Sequence, residues 1–210
     1  MTMLLTDAIE KRRSIRKYTK SNITVEELKQ IIKAGTDAPS AKNRQPWFFY
    51  ILHEEDVKSK FIHTLHEGID KLSHKYEALN IIRPDINSAN KTIECMRNAD
   101  ALILVAHQKK YGKSYEDGVC WDLFAKDIEV TDILSIGAAV QNMLLKATEM
   151  GYGTLWVCDI FYAYPQLIDF LQTDNAILSV VCIGKAAEQP VKRPRLSVEA
   201  VSSFIHKEKT

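Results

Sequence analysis

The chain has 210 residues, of which 46% are hydrophobic and 26% are charged, and these proportions are typical of a folded globular protein. The length predicts one domain over residues 1–210, with a hydrophobic core large enough to be stable without disulfide bonds. The formal net charge of +1 argues against an overall attraction to nucleic acid or to a membrane surface, and no apolar run approaches the roughly 20 residues that span a bilayer.

The first part of the chain predicts two helices, a polar loop and a strand. Apolar residues in Leu4–Arg13 have helical spacing, and Thr24 with Glu27 forms a Thr-x-x-Glu capping box that opens a second helix. This helix is expected to end before Pro39, in a loop rich in small and polar residues. The aromatic and β-branched residues of Trp47–Leu52 then indicate a buried strand.

The middle of the chain contains the strongest periodic signals. Helical patterns cover Glu55–Leu79 and Asn87–Arg97, and the unbroken apolar run Ala101–Ala106 predicts a central strand. The polar segment Lys109–Gly118 is expected to be a loop. Thr131–Met150 is the clearest helix of the sequence, because its apolar residues keep to one face over five turns.

The last part of the chain predicts two strands separated by a short helix. Gly151 is expected to cap the preceding helix, Thr154–Cys158 and Ile177–Ile183 have strand composition, and Pro165–Leu171 is helical. A polar, proline-rich tail follows and ends in an apolar set at Val198–Ile205, which indicates a terminal helix or arm. Helices and strands mix without regular alternation, and this favours an α+β fold over a doubly wound sheet.

Two basic clusters lie far apart along the sequence. The first comprises Arg12, Arg13, Arg16 and Lys17, with Ser14 among them, and the second comprises Lys192, Arg193 and Arg195 in the proline-containing tail. Arginine binds phosphate through two parallel N–H donors, so either cluster is suited to a phosphate monoester. For an isolated basic run, a solvated surface patch is the simpler interpretation, and both interpretations stay open at this point.

The loop APSAKNRQPW, from Ala38 to Trp47, also has the composition of a binding segment. Small residues allow a main chain to approach a flat ring closely, and Asn and Gln side chains offer both donors and acceptors. An ordinary connector has the same composition, so the spacing alone does not decide between the two.

Other chemistries have little support in the sequence. It contains no glycine-rich dinucleotide or P-loop motif and no Gly-x-Ser-x-Gly elbow. His63 and His66 share a helix but lack a third ligand at a recognisable spacing, so no metal site is predicted. Gln141 and Asn142, inside the strongest helix, could reach a bound ligand or satisfy a neighbouring main chain, and the structural role is favoured. The four widely spaced cysteines and the absence of a signal-peptide pattern predict a cytoplasmic protein.

Four segments together resemble the nitroreductase family of flavoproteins. They are RRSIRKY at residues 12–18, APSAKNRQPW at 38–47, GAAVQNMLLKATEMGYGTLW at 137–156 and IGKAAEQPVKRPR at 183–195, and they occur in the family's order over nearly the whole chain. The resemblance implies a single nitroreductase-like domain with an α+β fold, in which helices flank a mainly antiparallel central sheet. It also implies an intertwined homodimer with two FMN sites between its subunits.

The resemblance also implies which residues contact FMN. Carried over position by position, one subunit contributes Arg12, Arg13, Ser14 and Arg16, and the partner contributes Ser40, Ala41 and Asn43, with Pro39 shaping the turn. Trp156 to Asp159 pass near the isoalloxazine ring, and Leu155 beside them is a further expected contact. Arg193 and Arg195 contact the phosphate. No side chain is expected to act as a catalytic acid or base, because flavin N5 carries the chemistry.

The implied activity is a ping-pong transfer of a hydride from NADH or NADPH, through flavin N5, to a small electron acceptor such as a nitroaromatic or quinone. Related flavin chemistries, namely dehalogenation, reduction of activated alkenes and fragmentation of flavin, stay open for the same fold. A flavin-binding or sensing protein with little turnover is a further alternative. A basic-patch protein that binds nucleic acid is disfavoured by the near-neutral charge.

Overall fold

The computed structural model describes residues 3–78, 86–108 and 121–205. In these ranges the helices are α1 Leu5–Lys11, α2 Val25–Thr36, α3 Glu55–Ala78, α4 Ile86–Arg97, α5 Trp121–Glu149, α6 Tyr164–Leu171 and α7 Val198–Val201. The strands are β1 Tyr18–Thr19, β2 Trp47–Leu52, β3 Ala101–His107, β4 Gly153–Val157 and β5 Ala176–Ala186. Two 3-10 turns lie at Ala41–Asn43 and Phe161–Ala163.

The strands form one sheet with the order β1-β5-β3-β2, and β4 also pairs with β5. Each of these strand pairs is antiparallel. An isolated parallel bridge between Ser14 and Thr154 adds the segment before β1 to the edge of β4. The predicted α+β fold with a mainly antiparallel sheet flanked by helices is therefore confirmed.

Strand β3 lies at the centre of the sheet, and each of its seven residues is buried. Alternate side chains point to opposite faces, so Leu102 and Leu104 join one hydrophobic cluster while Ile103 and Val105 join the other. Both faces of the sheet are covered, and this explains why the run carries no polar alternation. The sequence prediction of a central strand here is confirmed.

The two clusters are completed by different helices. On one face the sheet packs against side chains of α3, α4 and α6, such as Phe61, Ile93 and Leu167. On the other face it packs against α2 and α5, through residues that include Ile31 and Val140. Burying one side chain of this size contributes about 1.5–3 kcal/mol to stability, so the two clusters fix the positions of the helices firmly.

Two predicted helix ends are confirmed in atomic detail. The Thr24 hydroxyl accepts a hydrogen bond from the Glu27 N–H at 3.2 Å, and the Glu27 carboxylate accepts one from the Thr24 N–H at 2.9 Å. At the end of α5, Gly151 has a φ of +77°, which favours glycine. This conformation lets the Tyr152 N–H donate to the Ala147 carbonyl at 2.8 Å.

Several predicted boundaries are wrong. Helix α5 begins at Trp121 rather than Thr131, because the intervening residues contain no glycine or proline to interrupt it. Helix α1 ends at Lys11 because the main chain at Arg12 turns to an extended ψ of 127°. The predicted loop at 109–118 lies outside the described residues. In the part of the chain that the structure describes, no helix is long and apolar enough to cross a membrane.

Replacement of Gly68 by Ala tests the packing of α3 against the turn at Phe161–Ala163. An added Cβ at Gly68 would lie 2.5 Å from the Ala163 Cα, so the main chain of the turn must move. We expect the Gly68→Ala variant to lose about 1–3 kcal/mol of unfolding free energy in urea titrations. His63→Ala, an exposed position on the same helix, should change it by no more than about 0.5 kcal/mol. An unchanged value for Gly68→Ala would contradict this packing.

Candidate functional site

The two basic clusters are brought together by the short strand β1. Tyr18 pairs with Ala186 and Thr19 with Lys185 at the end of β5, so the segment before β1 runs beside the segment after β5. The Ala187 N–H extends this pairing by donating to the Lys17 carbonyl at 2.9 Å. Residues that lie at opposite ends of the sequence therefore become neighbours.

Further hydrogen bonds fix the main chain of the first cluster. The Ile15 N–H donates to the Thr154 carbonyl at 2.8 Å, which attaches the cluster to β4. One carboxylate oxygen of Glu188 accepts from the Arg16 N–H at 2.5 Å and from the Lys17 N–H at 3.2 Å. The Glu188 carboxylate thus binds the main chain of this segment, while the side chains of Arg12, Arg13 and Arg16 line the space beside it.

A cavity of about 570 Å³ lies between the two clusters. Six of the residues that the sequence implicated line it, namely Arg12, Arg13, Ser14, Arg16, Arg193 and Arg195. Lys192 adds a sixth cationic side chain to its wall, and Glu10 is the one carboxylate among the lining residues. The wall therefore carries a strong excess of positive charge.

Among the described residues, acidic side chains do not balance the six positive charges that line this cavity. Burial lowers the pKa of the Arg12 guanidinium, and the positive charges of Arg195 and Arg13 lower that pKa further. Among the described residues, none of the five arginines that line the cavity forms an ion pair. An anion bound here would relieve the mutual repulsion of these groups.

Arg13 carries a buried donor that the described part of the chain leaves unsatisfied. Its Nη1 atom donates to the carbonyls of Glu10 at 2.6 Å and Arg12 at 2.8 Å, which fixes the guanidinium plane. Its Nε atom is buried and has no hydrogen-bond partner among the described residues. Such an atom costs free energy unless a ligand accepts from it, so the site has the donor chemistry of an oxyanion site.

The loop before β2 lies elsewhere on the same chain. The Ala41 N–H donates to the Ser135 hydroxyl of α5 at 3.3 Å, whereas Gln141 of the same helix lines the basic cavity. Six residues separate these two positions, which corresponds to about 9 Å along a helix. Four implicated residues, Pro39, Ser40, Ala41 and Asn43, are therefore not brought to the cavity of their own chain.

The two implicated residues of β4 differ in exposure. Leu155 is buried in the hydrophobic cluster on the α3 side of the sheet, so its side chain faces away from solvent. Trp156 is 40% exposed, and its Nε1–H donates to the Ser179 hydroxyl at 2.8 Å, which orients the indole ring. Trp156 therefore offers a fixed aromatic surface, and Leu155 offers only its main chain.

Gln141 lines the wall of the basic cavity, a position that the favoured structural role did not predict. The same role was favoured for Asn142, and its amide donates to the Ala34 carbonyl at 3.1 Å. Gln141 is exposed and lines the basic cavity. Its position one residue before Asn142 turns it to a different side of the helix, and the sequence gives no signal that the basic tail lies on that side.

Sequence and structure comparisons agree with this fold. The nitroreductase family pattern matches residues 9–185, from α1 into β5, and the chain belongs to this family of flavin oxidoreductases. A relative from Archaeoglobus fulgidus, whose name gives NADH dehydrogenase and NAD(P)H nitroreductase as provisional activities, is 28% identical over 146 residues. That match covers 70% of this chain and 62% of the relative.

Two solved structures share the whole fold. A BluB-like flavoprotein from Clostridium difficile 630 superposes with a TM-score of 0.77 at 24% identity, and the match covers 97% of this chain and 100% of that one. A protein from Desulfovibrio desulfuricans, solved in complex with FMN, superposes with a TM-score of 0.69 at 25% identity, over 98% of this chain and 99% of that one.

The unpaired charges predict that Arg195 does not stabilise the ligand-free protein. Removing it relieves the repulsion on Arg12, so the Tm of Arg195→Ala in phosphate-free buffer should be no more than about 2 °C below that of the parent, or higher. Differential scanning calorimetry measures this. Arg97→Ala, which breaks the ion pair of Arg97 with Glu94, provides a control outside the cavity. A large loss of Tm for Arg195→Ala would show that Arg195 has a stabilising partner.

Proposed function

We propose that this protein is an FMN-dependent oxidoreductase that uses NADH or NADPH to reduce a small electron acceptor such as a nitroaromatic or a quinone. The observation that carries the proposal is the cavity lined by five arginines that form no ion pair within the described part of the chain. Few ligands need so many cationic donors at one point, and the terminal phosphate of FMN is one of them.

The residues present fit this cofactor. The buried Nε atom of Arg13 lacks an acceptor among the described residues, and a phosphate oxygen would supply one. The Desulfovibrio protein, 25% identical over nearly the whole chain, was solved in complex with FMN, and this supports the same cofactor here. The name of the Archaeoglobus relative supports NADH or NADPH as the electron donor.

Bound FMN would supply the transfer of a hydride from the nicotinamide to the acceptor. The protein's own contribution is to bind and to orient. Arg193 and Arg195 would hold the phosphate, and the guanidinium groups near Ser14 would stabilise negative charge that develops on the ring. Trp156, oriented by Ser179, would provide an aromatic surface beside it.

We further propose that the protein acts as a homodimer. Large apolar side chains are exposed on α1, on α5 and in the C-terminal tail; Leu5 is 68% exposed, Leu134 68% and Phe204 80%. Exposed apolar surface of this kind is typical of protein interfaces, and a second copy of the chain could cover it. The loop with Pro39, Ser40, Ala41 and Asn43 borders the exposed residues of α5, so in a dimer it would contact the site of the partner.

The first test is the visible absorption spectrum of the purified protein before and after anaerobic addition of NADH or NADPH. We expect flavin bands, after reconstitution with FMN if necessary, and bleaching by at least one of the two nucleotides. Bands that persist with both nucleotides would favour a flavin-binding or sensing role. A protein that shows no flavin bands after reconstitution would contradict the proposal.

The placement of the phosphate is tested by removing the two arginines of the tail. In the variant Arg193→Ala/Arg195→Ala, each charge-assisted hydrogen bond lost should cost about 1.5–3 kcal/mol, so the Kd for FMN should rise by at least about tenfold. Quenching of flavin fluorescence measures the Kd. Lys29→Ala/Lys33→Ala removes the same charge from exposed positions on α2 and should leave the Kd nearly unchanged. Equal effects of both variants would indicate a general charge effect.

A further inference from the structure

A buried ionic network connects the loop before β2 to α5 and to the central strand. Arg44 donates to one carboxylate oxygen of Asp132 through Nε at 2.9 Å and through Nη2 at 2.6 Å. The second oxygen of Asp132 lies 3.1 Å from Nε2 of His107, the last residue of β3. Asp132 is only 2% exposed and His107 4%. The network therefore joins three separate elements inside the protein.

The loop that this network holds has a strained main chain. Lys42, Asn43 and Gln45 have φ angles of +52°, +54° and +49°, in the left-handed region that residues with a side chain rarely adopt. Residues in this region persist only where surrounding contacts enforce them, and such strain is concentrated at functional sites. Arg44 lies between the strained positions, so its bonds to Asp132 fix the conformation of the loop.

Other contacts support the same conformation. A second donor bond from Arg44 Nη2 reaches the Thr131 hydroxyl at 2.7 Å, so the guanidinium contacts two successive residues of α5. The Ser40 hydroxyl accepts from the Gln45 N–H at 3.1 Å and closes the loop on itself. The side chain of Asn43 in this loop is exposed. The loop is thus rigid at its base, and it presents polar groups outward.

Stability alone is a poor explanation for this arrangement. Burying two charges costs desolvation free energy, and an apolar contact could attach a loop to a helix without that cost. Neighbouring residues of α5 point outward instead; Ile133 is 41% exposed and Leu134 68%. The fixed loop therefore borders apolar surface that is available to a second copy of the chain.

We propose that Arg44, Asp132 and His107 are positioning residues that hold Ser40–Asn43 in the conformation in which they contact FMN bound to the partner subunit. This inference rests on the proposed FMN site and dimer. The planar guanidinium matters to it as well as the charge, because both Nε and Nη2 take part.

Two single variants test the positioning role. In Asp132→Asn and in Arg44→Lys, we expect the Kd for FMN to rise about tenfold, although Arg44→Lys keeps the positive charge. Glu149→Gln is a control on the same helix, because it removes a carboxylate that is paired with Lys146 at 2.6 Å away from the loop. An unchanged Kd in both network variants would overturn the inference.

A mixed dimer separates a role toward the partner from a role in the same chain. One subunit carries Arg44→Lys or Asp132→Asn, the other carries Arg193→Ala/Arg195→Ala, and two affinity tags allow the mixed dimer to be purified after co-expression. If the loop acts on the partner, one site combines an intact basic cavity with an intact loop. We then expect one FMN per dimer bound with the affinity of the parent protein.

The outcomes of this experiment are distinct. Recovery of one site with parental affinity supports the inference, and it also shows that the network variant is folded, because that subunit supplies the intact cavity. A mixed dimer without any site of parental affinity, formed with either network variant, would overturn the inference while leaving the proposed function intact. A parent protein that binds no FMN would overturn both together.

Discussion

The pairing of Tyr18–Thr19 with the end of β5 is the contact on which the basic cavity depends. Only two residue pairs are involved, yet they join the segment before β1 to the tail after β5. Glu188 reinforces the junction by accepting hydrogen bonds from the main-chain N–H groups of Arg16 and Lys17, which lie 172 and 171 positions earlier in the sequence. These bonds hold Arg12 and Arg195 near each other even though their positive charges repel. The cavity is therefore imposed on the arginines by hydrogen bonds of the main chain.

The rest of the fold supplies the stability that this arrangement requires. The free energy of unfolding of a domain is only about 5–15 kcal/mol, so the repulsion among several unpaired charges at one point lowers it significantly. Strand β3 is buried on both faces, and each large side chain in the two hydrophobic clusters contributes about 1.5–3 kcal/mol. A few core residues thus outweigh the repulsion.

Features with a local signature were predictable from the sequence, and features made by distant contacts were not. The capping box at Thr24, the glycine at the end of α5 and the buried strand β3 each depend on neighbouring residues, and all three are confirmed. The network of Arg44, Asp132 and His107 joins three elements, and no spacing in the sequence indicates it. The position of Gln141 beside the basic tail was not predictable for the same reason.

Helix α5 separates the loop before β2 from the basic cavity of the same chain, which favours the proposed site between two copies. Gln141 on this helix faces the basic cavity, whereas Asp132 anchors the loop nine residues earlier, about 13 Å away along the axis. Because α5 is a continuous helix, the separation cannot close without breaking it. A twofold dimer resolves the difficulty, since each copy can offer its loop to the other copy's cavity. The ion pair at Asp132 and the arginines of the tail would then serve two different sites of the same dimer.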